Sequence, residues 1–406
     1  MSDCFKPETQ DELAKVLSWA AAEETPMEII GSGSKRQLGR PVQVAYTLSL
    51  ENLSGIVDYE PAELVLTAKA GTPIAEIEAL LSEHGQELAF EPVDYGGVLG
   101  TGYGKGTLAG VCATNLAGSR RLKAGAARDH VLGIHGVSGR GEIFKAGGRV
   151  VKNVTGYDIA RAFCSSWGTL GVASELTLKV MPAAALEETV VVKGLSGAEA
   201  SEAMSAAMGS SAEVSSAAFL PLQYDDRLSA ELGAIDKTLT VLRLEGVEKS
   251  VNYRVETLRS LLKPFGSIDV LKNEGSRALW RSIRRLEAFE EGGEAPLWRI
   301  SVAPTHSESV VQRLQQLGAS KVLRDWAGGL LIAEFNGGDN PALEIRQAIA
   351  QAGGGHATLI RGSASDRGSI EVFQPQDPAL ALLTRSLKKQ LDPKGILNPG
   401  RMYVGV

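Results

Sequence analysis

The nine residues Gly31-Ser-Gly-Ser-Lys-Arg-Gln-Leu-Gly39 follow a short apolar run, Met27 to Ile30, and their composition suits one kind of chemistry. Glycines at 31 and 33 remove the side chains that would obstruct a turn. The successive backbone N–H groups of Gly31, Ser32, Gly33, Ser34 and Lys35 can then form a nest around a pyrophosphate. The loop departs from both common phosphate fingerprints. Arg36 stands where the dinucleotide pattern has its third glycine, and no Gly-Lys-Ser/Thr closes it as a phosphate loop. A plain surface turn is the competing reading.

Three further segments have the composition of cofactor contacts. Glycine density rises from Gly96 to Gly118, but the apolar placement is too ordered for a flexible linker. This stretch reads as ligand-facing loops and a helix start, with Gly110, Val111, Asn115 and Gly118 inside it and Arg128-Asp129-His-Val-Leu-Gly133 after it. The segment Arg149 to Lys179 combines Lys152-Asn153, a Thr155-Gly-Tyr-Asp158 turn and a Gly168-Thr-Leu-Gly171 turn. Gly168 and Gly171 let the backbone approach a flat ligand, and Val172, Leu176, Leu178 and Val180 begin a half-buried strand. The last segment is Asn398-Pro-Gly-Arg401.

In this order the segments resemble the PCMH-type FAD-binding domain of the vanillyl-alcohol oxidase class. Within that class, Thr155 to Asp158 and Gly168 to Gly171 look like the 2-hydroxy-acid dehydrogenase branch. Across essentially the whole chain the resemblance is to the family of smaller, E-type FAD-binding subunits of glycolate oxidase. It implies that residues 31 to 35 hold the FAD pyrophosphate and that Asp129 belongs to the cofactor site. Gly110 to Gly118 and Gly168 to Val172 would border the flavin and adenine portions, and Asn398 and Arg401 would approach the isoalloxazine. Many members attach FAD through a His or Cys, often a His in the first loop. Residues 31 to 39 contain neither, so noncovalent FAD is expected, with Cys112 the remote candidate for attachment and a small buried hydrophobe its ordinary role.

The resemblance also implies partners: a paralogous D-type flavin subunit that is catalytic and an F-type iron–sulfur subunit, with a 2-hydroxy acid such as glycolate oxidised by the assembly. Catalytic relatives carry a His-x-Gly-Asp-Gly-Asn segment in the cap. Here the nearest string, Phe335-Asn-Gly-Gly-Asp-Asn340, has no preceding histidine, and His306 and His356 stand apart from any carboxylate cluster. No metal site is expected and no catalytic base is assigned. This chain would then relay electrons or support assembly. A self-sufficient FAD-dependent dehydrogenase and a flavin-free structural paralogue are the alternatives. Arg361, after an apolar run, is either a cap cation aimed at the flavin or a salt-bridge arginine. Arg120, Arg121, Lys123 and Arg128 read as a docking face, a phosphate contact or a solvated charge run. Lys152 and Asn153 read as flavin-side groups or turn caps.

These residues need a mixed α+β frame. Leu13, Val16, Leu17 and Ala20 fall at helical spacing, Met27 to Ile30 reads as a strand, and Glu63 to Ala70 alternates. Thr72 and Pro73 look like the N-cap and first turn of a helix running to Gly85. After Met181-Pro182 the composition shifts to small residues, marking a boundary near 183. The expected architecture is a PCMH-type FAD-binding domain of two α+β subdomains over 1–183 and an α+β cap over 184–378. A helix and tail over 379–406 return to the FAD domain, with Leu383, Leu387 and Leu391 on one helix face.

Composition narrows the class further. At 406 residues, 44% apolar and 22% charged, the chain has enough material for two or three cores. A formal net charge of −6 argues against nucleic acid as the main partner. Cys4, Cys112 and Cys164 have neither disulfide-framework nor iron–sulfur spacing. The polar start and the lack of an ~18-residue apolar run lead to an expected cytoplasmic location, with peripheral membrane docking only through another protein.

Overall fold

A computed structural model describes residues 3–150, 157–222, 224, 232, 237–336 and 340–406. The chain forms two compact units. The first comprises Met1–Ala117, Gly125–Ala183 and Pro375–Val406; the second comprises Gly118–Ala124 and Ala184–Gln374.

The first unit contains two sheets whose character differs with their connections. Strands Asp3–Phe5, Tyr46–Ser49 and Met27–Ile30 form a parallel sheet with Tyr46–Ser49 central. The helix Gln10–Ala22 intervenes between the outer two, as parallel pairing requires a crossover. Its N-cap is Thr9, whose hydroxyl accepts from Glu12 N at 3.2 Å, and Leu13, Leu17 and Ala20 form its buried stripe. The second sheet is antiparallel, ordered Ile56–Glu60, Val65–Lys69, Val172–Lys179, Val131–Val137, Ile143–Gly147. Ala68, Leu176, Leu178 and Ile134 from its central strands join the helix residues in one apolar core.

One local expectation is corrected. The helix after the alternating strand is Ile74–Glu83, and Pro73 occupies the cap position without a side-chain hydrogen bond. The Thr72 hydroxyl turns backward instead, donating to Lys69 O at 2.7 Å and lying 3.0 Å from Gly55 N, which donates to it. It stitches the strand's exit to the preceding turn.

The tail completes the parallel sheet. Met27 bridges Leu397 in parallel, with Met27 N donating to Ile396 O at 2.7 Å and Asn398 N donating to Met27 O at 3.0 Å. A segment some 370 positions later in sequence thus borders the strand that feeds the first glycine loop.

The second unit has an internal duplication. Leu186–Lys193, Gly197–Met208, Ser216–Leu220, Leu239–Gly246, Glu248–Leu262 and Ile268–Lys272 run strand, helix, strand, strand, helix, strand. Leu297–Val302, Ser307–Gln316, Ala319–Asp325, Leu330–Phe335, Ala342–Gln351 and Gly355–Arg361 repeat that succession. In each half the fourth strand lies beside the first, the first beside the third and the third beside the second, the ferredoxin-like order. The halves join through their second strands, where Phe219 pairs with Arg324, giving one eight-stranded antiparallel sheet.

Among the described residues no helix is long and apolar enough to cross a membrane.

Candidate cofactor site

The first glycine loop is fastened through its carbonyls. Gly33 O accepts from Arg36 N at 3.0 Å, and Lys35 O accepts from Leu38 N at 3.0 Å. Ser34 O accepts from the Thr101 hydroxyl at 3.2 Å. Arg401 donates to Lys35 O at 3.1 Å and to Arg36 O at 3.0 Å. With these oxygens engaged by the protein, the loop's N–H groups are the polar edge it can offer a ligand, and Gly33, at φ +78°, supplies the left-handed turn. Ser32 Oγ bonds Lys105 O, anchoring the loop to the segment that leads into the helix Leu108–Thr114.

Two glycines are dictated by close approach. A Cβ at Gly31 would overlap the Thr107 hydroxyl, and Thr107 also lies 3.1 Å from the Cβ position of Gly110. Thr107 therefore sits at the closest packing between loop and helix. At Gly168, φ is +73° and a Cβ would lie 2.7 Å from Asn398 Nδ2. Ser165, Trp167, Asn115 and Asn398 also have positive φ, at +71°, +54°, +51° and +43°. Left-handed non-glycine residues cost of order 1–3 kcal/mol each and gather where surrounding structure enforces them.

Asn398 does that enforcing. Its side chain, 3% exposed, accepts from Ile29 N at 2.8 Å and donates to Trp167 O at 2.8 Å and Ile29 O at 3.3 Å. It joins the strand before the first loop to the turn that carries Gly168. Trp167 N in turn donates to Ala113 O at 3.1 Å, which ties in the helix.

These parts border a cleft whose empty space, open mouth included, is about 690 Å³. Gly31 to Lys35, Gly110, Gly168, Gly171, Val172, Asn398 and Arg401 all line it. Among the described residues its ionisable lining groups are Lys35, Arg36 and Arg401, all cations, and the rest of its wall is largely apolar or glycine backbone. A long ligand with an anionic centre and a flat apolar portion matches this donor set. Thr107 and Trp167 also line the cleft; both lie within the segments singled out above but were not named as cofactor contacts. A tryptophan immediately before a glycine pair was the only available signal.

Comparison with known proteins agrees with that chemistry. Residues 4–147 match the FAD binding domain family. The chain is 36% identical over 395 residues to glycolate oxidase subunit GlcE of Escherichia coli (strain K12), covering 96% of each chain. The chain belongs to the PCMH-type FAD-binding family, in the branch of the glycolate oxidase GlcE subunits. It is also 22% identical to glycolate oxidase subunit GlcD of Bacillus subtilis (strain 168), over 98% of this chain and 88% of that one. The fold is that of p-cresol methylhydroxylase with substrate bound, at a TM-score of 0.74, 14% identity and coverage of 99% and 88%.

As a member of the PCMH-type family the protein binds FAD, and the cleft fits it: a glycine nest, three cations and backbone surfaces stripped of Cβ atoms. No imidazole or thiol lines the cleft among the described residues. Cys112 is fully buried in the core of the first unit, and burial together with nearby Cys164 raises its pKa well above the ordinary thiol value. Cys164 is pushed up to about 12, chiefly by burial. Cys4 is exposed. A disulfide-exchange reagent is therefore expected to titrate one thiol quickly in the native protein and the other two only after unfolding. Time-resolved thiol counting checks this.

Lys35 gives the site a pH dependence. Burial lowers its pKa from the ordinary lysine value, with the Asp94 carboxylate opposing. An anion bound beside it raises that pKa again, so binding takes up a proton. Affinity for FAD should be highest below the Lys35 pKa of the empty cleft, fall as pH rises through it, and level off above the pKa of the filled cleft. Flavin titrations carried from neutral pH into the alkaline range should show this fall, and Lys35→Met should flatten it while weakening binding roughly tenfold or more.

Several expected residues lie elsewhere. Val111 is buried behind the cleft on the helix Leu108–Thr114. Asn115 caps that helix, accepting from Arg128 N at 2.9 Å and donating to Ser165 Oγ at 3.1 Å. Asp129 caps the turn at Ala126, accepting its N–H at 2.9 Å. Gly118 belongs to the second unit, where its carbonyl accepts from Trp326 Nε1 at 3.0 Å. None of the four lines the cleft, because sequence adjacency to a contact segment does not fix which side of a helix or turn a residue takes. Lys152, Asn153 and the start of the Thr155-Gly-Tyr-Asp158 turn lie outside the described residues; Asp158 caps the helix Ile159–Phe163.

Arg361 is a structural cation. It pairs with Glu334 at 2.6 Å and donates to Phe289 O at 2.5 Å and Ala295 O at 2.9 Å, all within the second unit. Arg120 pairs with Glu245 at 2.6 Å. Burial and the nearby Arg299 lower the pKa of His356. Among the described residues no three His, Cys, Asp or Glu side chains are grouped as a metal site.

Proposed function

We propose that the chain is the E-type FAD-binding component of a glycolate-oxidising assembly. A paralogous D-type flavin subunit oxidises glycolate to glyoxylate, and an F-type iron–sulfur subunit carries the electrons onward. In this division of labour the present chain relays reducing equivalents or supports assembly. The observation that carries the reading is the 36% identity to a glycolate oxidase subunit over 96% of both chains.

When bound, FAD supplies two-electron acceptance that can be coupled to one-electron carriers. The chain's own residues bind and shape: residues 31–35 hold the anionic centre, Asn398 fixes the wall on which Trp167 and Gly168 sit, and Arg401 braces the loop through its carbonyls. Removing hydrogen from a 2-hydroxy acid needs a base at the hydroxyl. Among the described residues the ionisable groups lining this cleft are cations, which favours relay over primary oxidation.

The test is the visible spectrum of the purified chain under anaerobic conditions. A bound flavin that stays oxidised on adding glycolate, and is released by acid, is the expected result. Bleaching by glycolate would make the chain a dehydrogenase in its own right, and a colourless protein would remove the flavin role altogether.

A further inference from the structure

The helix Pro378–Leu391 is anchored at one end and bare at the other. Of its fourteen residues only Lys388 is fully buried. Lys388 Nζ donates to Thr169 O at 2.8 Å and Leu397 O at 2.8 Å and pairs with Asp392 at 2.7 Å. Asp392 accepts from Leu397 N at 2.8 Å, and Gly139 N donates to Leu391 O at 2.9 Å. The last turns are thus fixed to both segments that flank the cofactor cleft. The first two turns are different: Leu380, Leu382 and Leu383 are 47%, 61% and 67% exposed. Leu380 and Leu383, with Leu387 at the next step of the same stripe, have the spacing of a face that packs against protein.

We infer that this helix end is the docking surface for another polypeptide of the assembly, an inference that rests on the proposed function. The charge pattern identifies the occupant. Between Pro378 and Leu391 the helix has exposed Arg385 and Lys389 and no acidic residue, within a chain of net charge −6. A two-fold pairing of this helix with a second copy of itself would bring like charges together around the leucines. A heterologous partner with an apolar groove rimmed by carboxylates satisfies both features. Because the helix is fixed through Lys388 to Thr169 and Leu397, the docked partner is held in register with the cleft.

The experiment is co-expression of the full chain with the D-type and F-type subunits of the same organism, followed by affinity purification and subunit quantification. Leu380→Glu combined with Leu383→Glu is expected to leave FAD content and the visible spectrum unchanged while lowering recovery of the partner subunits at least tenfold. Arg385→Glu combined with Lys389→Glu is expected to weaken recovery in a way that depends on salt. Wild-type recovery by the leucine variant would overturn the docking surface and leave the assembly reading intact. Failure of the wild-type chain to recover either partner would overturn the assembly reading and this inference with it. A chain that is a dimer by light scattering when alone, and a monomer as the leucine variant, would assign the face to a second copy and overturn the heterologous partner.

Discussion

Asn398→Ala should cost the protein both stability and cofactor. The substitution removes the partner of Ile29 N, Ile29 O and Trp167 O at a site only 3% exposed. Stranding buried backbone groups costs about 1–3 kcal/mol each, so a total loss of about 3 kcal/mol or more is expected. Part of that loss falls on the cleft itself, because Ile29, Trp167 and Gly168 are its lining. Alanine also tolerates the left-handed backbone at 398 poorly, where φ is +43°. A loss of about 2 kcal/mol in binding corresponds to roughly a thirtyfold rise in Kd. Thermal denaturation with and without added FAD separates the two effects: the variant should melt lower and gain less from excess flavin than the parent. An unchanged Kd would mean that the tail merely decorates the sheet.

Gly31→Ala tests the other wall and comes with its own rescue. Position 31 does not have a positive φ, so alanine meets no backbone penalty there; its Cβ meets the Thr107 hydroxyl. Overpacking of this kind costs about 1–3 kcal/mol, and the strain acts on the joint between the first loop and the helix Leu108–Thr114. We expect flavin affinity to fall by roughly a hundredfold, with the far-ultraviolet spectrum unchanged. Thr107→Gly removes the obstructing atoms, so the double variant should bind FAD better than Gly31→Ala alone. Additive losses in that cycle would place the defect in the loop's own conformation rather than in its packing.

What was readable in the residues and what was not divides along sequence distance. The helix Gln10–Ala22 follows from Leu13, Leu17 and Ala20, and the strand Met27–Ile30 from a short apolar run ended by glycine. Both depend on neighbours within a few positions, where periodicity and turn chemistry carry information. The α+β class and the FAD-binding character follow from the order of several such local features. The side chains that join these features are set by contacts over hundreds of residues. Asn398 bonds Ile29 across 369 positions, and Arg401 bonds Lys35 across 366. Thr107 lies in a glycine-rich segment whose spacing does not single it out, and only the fold brings Gly31 against it. Arg361 was ambiguous because an arginine after a strand is equally suited to a ligand and to a carboxylate. Glu334, 27 positions earlier, decides the matter. Leu383 falls on an apolar helix stripe, yet it is exposed, since periodicity marks a face without saying whether this chain covers it.

The placement of the tail has a consequence for how the protein is made. The strand Met27–Ile30 takes its neighbour, and the first glycine loop its brace, from residues translated only after the whole stretch Ala184–Gln374. At about 5–20 residues per second, a ribosome needs roughly 10–40 s to travel from Ala183 to Asn398. Throughout that interval the emerging first unit presents an unpaired strand edge and an unbraced loop, the kind of surface that invites aggregation or capture by a holding chaperone. Flavin supplied early in synthesis finds no finished receptacle. Loading is thereby ordered after completion of the second unit and arrival of the tail, which closes that edge and braces the loop.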